Sequence, residues 1–150
     1  ARSVRTPWCS VDKAAAAAPA GATVYVRGGK YEHFTTKNKC RTGWVTYKPY
    51  PHETVTIDGA NGGTDDRDGA WQLTNDCYIH IKGFNMTDRF YLEANQSHID
   101  IDGNYVHSKD PHPNVKSGSA NVTVSGVATL CRGPKCSSGQ TDLMIRNNHF

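Results

Sequence analysis

No stretch of this chain approaches the ~20 consecutive apolar residues that a membrane-spanning helix needs. The opening Ala1-Arg2-Ser3-Val4-Arg5 has no apolar h-region, so no secretory leader is visible. Finger-type zinc spacing is missing too. The five cysteines (Cys9, Cys40, Cys77, Cys131 and Cys136) include no C-x-x-C pair and no cysteine–histidine set at finger spacing. There is no H-E-x-x-H and no nucleophile elbow, so zincin and hydrolase-triad chemistry find no support. Uniform charge is also lacking. Residues 1–50 carry nine Lys or Arg against Asp12 and Glu32, for +7, residues 51–110 reverse this to −7, and residues 111–150 return +3. A nucleic-acid binder is more evenly basic, so neither a nucleic-acid nor a membrane partner is expected. An acidic middle suits a cation, and a basic start suits an anionic polymer.

What is present is a repeat within one domain's length of chain. A five-residue unit of aliphatic, any, aliphatic, any, then Gly or Asn reads Val55-Thr-Ile57-Asp-Gly59, Ile79-His-Ile81-Lys-Gly83, Ile99-Asp-Ile101-Asp-Gly103, Val122-Thr-Val124-Ser-Gly126 and Leu143-Met-Ile145-Arg-Asn147. The starts lie 24, 20, 23 and 21 residues apart, and Val24-Tyr-Val26-Arg-Gly28 is an earlier copy. An excursion with Cys40 and an extra strand, Trp44-Val-Thr-Tyr47, follows that copy.

Strict alternation puts the aliphatics on one face of a strand. The fifth position takes Gly or Asn because a sharp turn there needs the left-handed conformation. Twenty-odd residues suffice for three short strands and three turns, and no gap reads as an amphipathic helix. The pattern therefore predicts an all-β fold, a right-handed parallel β-helix of about six coils spanning residues 1–150.

One helix is predicted. Ser10 is its N-cap, a run of alanines follows, Pro19 ends it, and Val11, Ala14, Ala15 and Ala18 share a face. A solenoid needs its ends covered, and this helix is the expected N-terminal lid. The last repeat, Leu143 to Phe150, has no such lid. The domain is therefore expected to be incomplete at that end, or to assemble there with a second copy.

Four cysteines lie in loop-like sequence, which predicts disulfides, an oxidising compartment, and a secreted or cell-surface protein. The expected pairs are Cys9–Cys40 and Cys131–Cys136, with Cys77 a buried free thiol before its strand. Sequons at Asn85, Asn95 and Asn121 allow N-glycosylation.

The run Ala20-Gly-Ala-Thr-Val-Tyr-Val-Arg-Gly-Gly-Lys-Tyr31, with Trp71-Gln-Leu73 and Tyr78-Ile-His-Ile-Lys-Gly-Phe84, resembles right-handed parallel β-helix proteins of the pectate-lyase-like superfamily. It is most similar to the N-terminal half of family-nine polysaccharide lyases. The resemblance implies an acidic polysaccharide as substrate and β-elimination assisted by Ca²⁺ with a Lys or Arg base. The chain departs from that pattern: it has no Asn-Ser-Asp-Asp-Gly cluster and no Arg-x-Pro-x-x-Arg.

Elimination from a uronate needs a cation to neutralise the carboxylate and a base to take the neighbouring proton. The outward column Asp58, Lys82, Asp102, Ser125, Arg146 offers Lys82 and Arg146. Asp58 and Asp102 would flank Lys82 and hold it charged, against a base role. Arg146, with no acid beside it, is the better catalytic candidate. A metal site is expected, if anywhere, at Asp65, Asp66 and Asp68, joined by Asp58. The histidines read as surface residues, and Trp44, Tyr47 and Tyr50 as core or turn fillers with a possible sugar-stacking role. Two functions follow. The first is a secreted carbohydrate-active module of a lyase-like protein, this chain alone being expected to be inactive. The alternative is a non-catalytic extracellular protein forming filaments end to end.

Overall fold

The computed structural model describes residues 7–8, 10–37, 40–59, 69–93, 96–107, 122–125 and 141–150. Cys9, Asp65, Asp66, Asp68, Asn95, Asn121, Cys131 and Cys136 lie outside the described residues. One helix, α1 (Val11–Ala17), precedes thirteen strands among the described residues. The strands are β1 (Thr23–Val26), β2 (Gly29–Tyr31), β3 (Phe34–Lys37), β4 (Cys40–Pro49), β5 (Val55–Ile57), β6 (Trp71–Thr74) and β7 (Cys77–Lys82), followed by β8 (Asn85–Met86), β9 (Phe90–Glu93), β10 (Ser97–Asp102), β11 (Tyr105–Val106), β12 (Val122–Ser125) and β13 (Thr141–Arg146).

The strands visit three sheets in rotation. The first sheet is β1-β4-β7-β10-β13, the second β2-β5-β8-β11 and the third β3-β6-β9-β12. All neighbouring pairs are parallel. Parallel neighbours need a crossover between them, and here the crossovers consist of the strands of the other two sheets. The chain is therefore all-β with parallel sheets and one short helix.

Register stacks like on like inside. Val45, Ile79, Ile99 and Leu143 form one column of the first sheet, and Tyr47, Ile81, Ile101 and Ile145 the next. Tyr31, Ile57, Met86 and Val106 line up in the second sheet, and Phe34, Trp71 and Phe90 in the third. Ile79, Ile81, Ile99 and Ile101 are wholly buried, each stabilising the fold by about 1.5–3 kcal/mol. Trp71 ties the layers together, its ring centroid 5.4 Å from Phe34, 5.4 Å from Tyr47 and 5.3 Å from Phe84.

α1 forms as anticipated. The Ser10 hydroxyl accepts from Lys13 N at 3.3 Å, and Val11, Ala14, Ala15 and Ala18 are all buried. The helix packs on β3 and β1, edge strands of two sheets. Gly83 (φ 77°), Gly103 (φ 61°) and Asn147 (φ 54°) take the left-handed conformation at the turns that leave the first sheet. Beyond the turns, Asn104 and Asn148 form a ladder. Asn104 Oδ1 accepts from Phe84 N at 3.0 Å, and its Nδ2 donates to Ile81 O at 3.1 Å. Asn148 Nδ2 donates to Ile101 O at 2.8 Å, and its Oδ1 accepts from Asn104 N at 2.8 Å.

Two expectations are corrected. The five-residue units do not all belong to one sheet: Val55–Ile57 is in the second and Val122–Ser125 in the third, while the supposed extra strand at Trp44–Tyr47 is the true first-sheet neighbour of β7. The unit spells a half-buried strand followed by a turn, and strands of every sheet meet that description. The second correction is the disulfide. Cys40 bonds Cys77, with Cα atoms 4.3 Å apart, so Cys40 does not pair with Cys9 and Cys77 is not a free thiol. Cys40 opens β4 and Cys77 opens β7, and register sets them side by side.

Candidate functional site

Once the inner columns are fixed, alternation dictates the outer face of the first sheet. β7 presents His80 and Lys82, β10 presents Asp100 and Asp102, and β13 presents Met144 and Arg146. β4 adds Thr46 in register with His80, and Lys48 opposite Tyr25 of β1. The face thus carries Lys82 and Arg146 along one row, with Asp102 between them, and Lys48 follows Tyr47 on β4.

Asp100 and Asp102 point outward yet are only 4% exposed, because neighbouring strands fold charged side chains over them. Arg146 clamps Asp100, with Nε to Oδ1 at 3.1 Å and Nη2 to Oδ2 at 2.7 Å, while Nη2 also lies 3.8 Å from Asp102 Oδ2. Lys82 Nζ is 3.0 Å from Asp102 Oδ2, and Asn147 Nδ2 donates to Asp102 Oδ1 at 2.9 Å. Burial of a carboxylate is tolerated when it is paired in this way. The Asn147 hydrogen bond, followed by that of Lys82, holds the Asp102 pKa down at about 2. Hydrogen bonding and charge from Asp100 raise the Arg146 pKa above its ordinary value.

His80 completes the cluster. Its Nε2 is buried without a hydrogen bond, 3.6 Å from Asp100 Oδ2 and 3.7 Å from Asp102 Oδ2.

Of the expected catalytic pair, Lys82 and Arg146 do share one face, with Asp102 between them. The expectation that Arg146 lacks an acid is overturned: it has two, Asp100 closest. Asp58 is not beside Lys82. It follows β5 in the second sheet, buried, where Thr87 Oγ1 donates to its Oδ1 at 2.6 Å and Lys30 Nζ pairs with Oδ2. Both its carboxylate oxygens thus have protein partners. Gly59 and Gly69 each pass close to a neighbour: a Cβ on Gly59 would stand 2.5 Å from Asp88 Cβ, and one on Gly69 2.6 Å from Arg89 O. Among the described residues no group of three or more His, Cys, Asp or Glu is placed to hold a metal. Asn85 is half-buried on β8, and its sequon partner Thr87 is buried.

The aromatics divide. Tyr47 is core. Trp44, 38% exposed, stands edge-on to Tyr78 at 5.7 Å, and Tyr78 stacks on His98 at 4.1 Å. Tyr25 remains 48% exposed, with Lys48 Nζ 5.0 Å from its ring centroid, and Arg27 lies 5.1 Å from that of Tyr50. Sequence reasoning missed Asp100 and His80. The signal was cross-strand register, which one strand read alone does not carry.

Among the described residues no helix is long and apolar enough to cross a membrane. Comparison with protein-family models, curated proteins and solved structures finds no match for this chain.

Proposed function

We propose that the chain is part of a secreted right-handed parallel β-helix that holds acidic polysaccharide across the outer face of the first sheet, in a lyase-like protein acting by β-elimination. The observation that carries this reading is the pair of half-exposed cations Lys82 and Arg146 in one register row of that face, with Lys48 following Tyr47 on the neighbouring strand. Lys82 and Arg146 side chains are 53% and 50% exposed, and each keeps donors beyond those given to the aspartates. Lys82 and Arg146 stand two strand spacings apart, ~9.6 Å, with Asp102 between them drawn toward both cations.

The strict rotation of strands through three parallel sheets supports the β-helix, and parallel crossovers are right-handed in nearly all proteins. The Cys40–Cys77 bond fits an oxidising compartment. The test is retention on immobilised polygalacturonate and alginate at low salt, with dextran as the neutral control. Binding that weakens with salt and falls in Lys82→Glu and Arg146→Glu is expected. Equal retention on dextran, or none on either polyanion, refutes the reading.

A second reading, end-to-end assembly, is favoured by one observation. β13 is an edge strand, and Met144, Ile145 and Phe150 near it are exposed. Concentration-dependent sedimentation that Ile145→Lys abolishes supports it, and a monomer at all concentrations removes it.

A further inference from the structure

We propose that His80, rather than Lys82 or Arg146, is the proton acceptor of this face, acting on a carbon next to a carboxylate held by Lys82 and Arg146. The inference rests on the polysaccharide reading above and names the base within it.

The groups around the ring decide its role. Thr46 of β4 adjoins it on one side and brings no charge. On the other side, Asp100 and Asp102 face its buried Nε2. Lys82 from its own strand and Arg146 from β13 pair with those two carboxylates. The ring hydrogen is assigned to Nε2, which faces the carboxylates, and the lone pair to Nδ1. The side chain is 22% exposed, open enough for a bound polymer to reach it. A carboxylate behind an imidazole fixes its tautomer and orientation, the arrangement that makes a histidine an effective base. The 3.6 and 3.7 Å separations are long for hydrogen bonds, as such contacts commonly are before substrate is bound.

Lys82 and Arg146 are suited to the other half of the chemistry. Both are ion-paired and half exposed, and they keep N–H donors for an incoming uronate carboxylate. In the step, Nδ1 takes the proton from C5 of the uronate. The C–H electron pair becomes the C4=C5 double bond, and the C4–O bond breaks with its pair on the departing oxygen. That oxygen takes a proton from water, and the imidazolium gives its proton to the hydroxide so formed. The expectation that this chain alone is inactive rested on a Lys82 held charged by its acids and on the missing aspartate cluster; a histidine base on this face answers the first of these grounds.

The experiment measures unsaturated uronate by its ultraviolet absorbance, using the full chain and a panel of pectate, alginate and glucuronate-containing polymers. Binding of the same polymers is measured in parallel. The wild type is expected to release product on at least one polymer that it binds. His80→Gln is expected to lower kcat by roughly 100-fold or more while its polymer Kd stays within about threefold, a change too small to count as lost binding. His80→Ala is expected to regain part of the rate with added imidazole, which guards against a variant that merely misfolds. Undiminished product from His80→Gln overturns the proposal, as does a wild type that binds polymer and releases nothing, although polysaccharide binding then stands. A wild type that neither binds nor cleaves removes both.

Discussion

Arg146 grips Asp100 through two nitrogens, at 3.1 and 2.7 Å, from the neighbouring strand. A paired carboxylate that is 4% exposed has little water to replace a lost partner. Arg146→Gln is therefore expected to lower Tm more than Asp100→Asn does, because the first leaves a buried charge and the second removes it. The double variant is expected to lose less than the sum of the two. Thermal unfolding of all four proteins measures the coupling, and simple additivity removes the claim that the pair acts as a unit.

Asp102 gives an acid limb of known sign. Its folded pKa of about 2 lies below the ordinary carboxylate value of 3.8, so the folded state prefers the ionised form. The stability this contributes is present above the unfolded value and is lost as pH falls from about 4 toward 2. Tm measured across that window should fall, and Asn147→Ala, which deletes the largest cause of the shift, should flatten this part of the fall. An unchanged acid limb in Asn147→Ala refutes the assignment.

Tyr47 gives the alkaline counterpart. Burial pushes its pKa from 10.0 up to about 12, and its hydroxyl is buried without a hydrogen-bond partner. The folded state prefers the neutral phenol, so stability from this group is intact below pH 10 and is lost as pH rises from 10 toward 12. Tyr47→Phe removes the unpaired hydroxyl along with the ionisation. It should cost nothing at neutral pH, stabilise by up to about 1 kcal/mol, and weaken the alkaline decline. A destabilisation of more than about 1 kcal/mol would show that the hydroxyl makes a needed bond.

These groups also show what the sequence disclosed. Ile79, Ile81, Ile99 and Ile101 were legible as core because alternation fixes which side of a strand is apolar, whatever the strand's neighbours. The Ser10 cap and the apolar face of α1 were legible because helix signals are local. Asp100 was not, since an outward aspartate reads as exposed until the next strands supply Arg146 and His80. Asp58 was assigned to the wrong column for a related reason. Val55-Thr-Ile57 is spelled like a first-sheet strand, and only pairing distinguishes it. Neighbours in register can be distant in sequence: Ile99 and Leu143 are paired although 44 positions apart. Local periodicity identifies the strands, but the lengths of the intervening loops decide which strands meet.

The Cys40–Cys77 bond is the last consequence of register open to direct test. It joins residues 37 positions apart at the start of two neighbouring strands, closing most of one passage through the three sheets. By loop-closure entropy a link of that span stabilises the folded chain by up to about 4 kcal/mol. Because Cys77 is only 8% exposed, reduction should need partial opening of β4 from β7, and it should proceed slowly in native protein and quickly in denaturant. Non-reducing digestion should yield one peptide pair containing Cys40 and Cys77. The Cys40→Ala/Cys77→Ala double variant should fold with a lower Tm, and each single variant should fall at least as far, since it leaves a thiol at a site shaped for the bond. Recovery of Cys40 joined to Cys9 would contradict the alignment of β4 with β7 at that end of the sheet. An unaltered Tm in the double variant would show that strand pairing alone holds the two strands together.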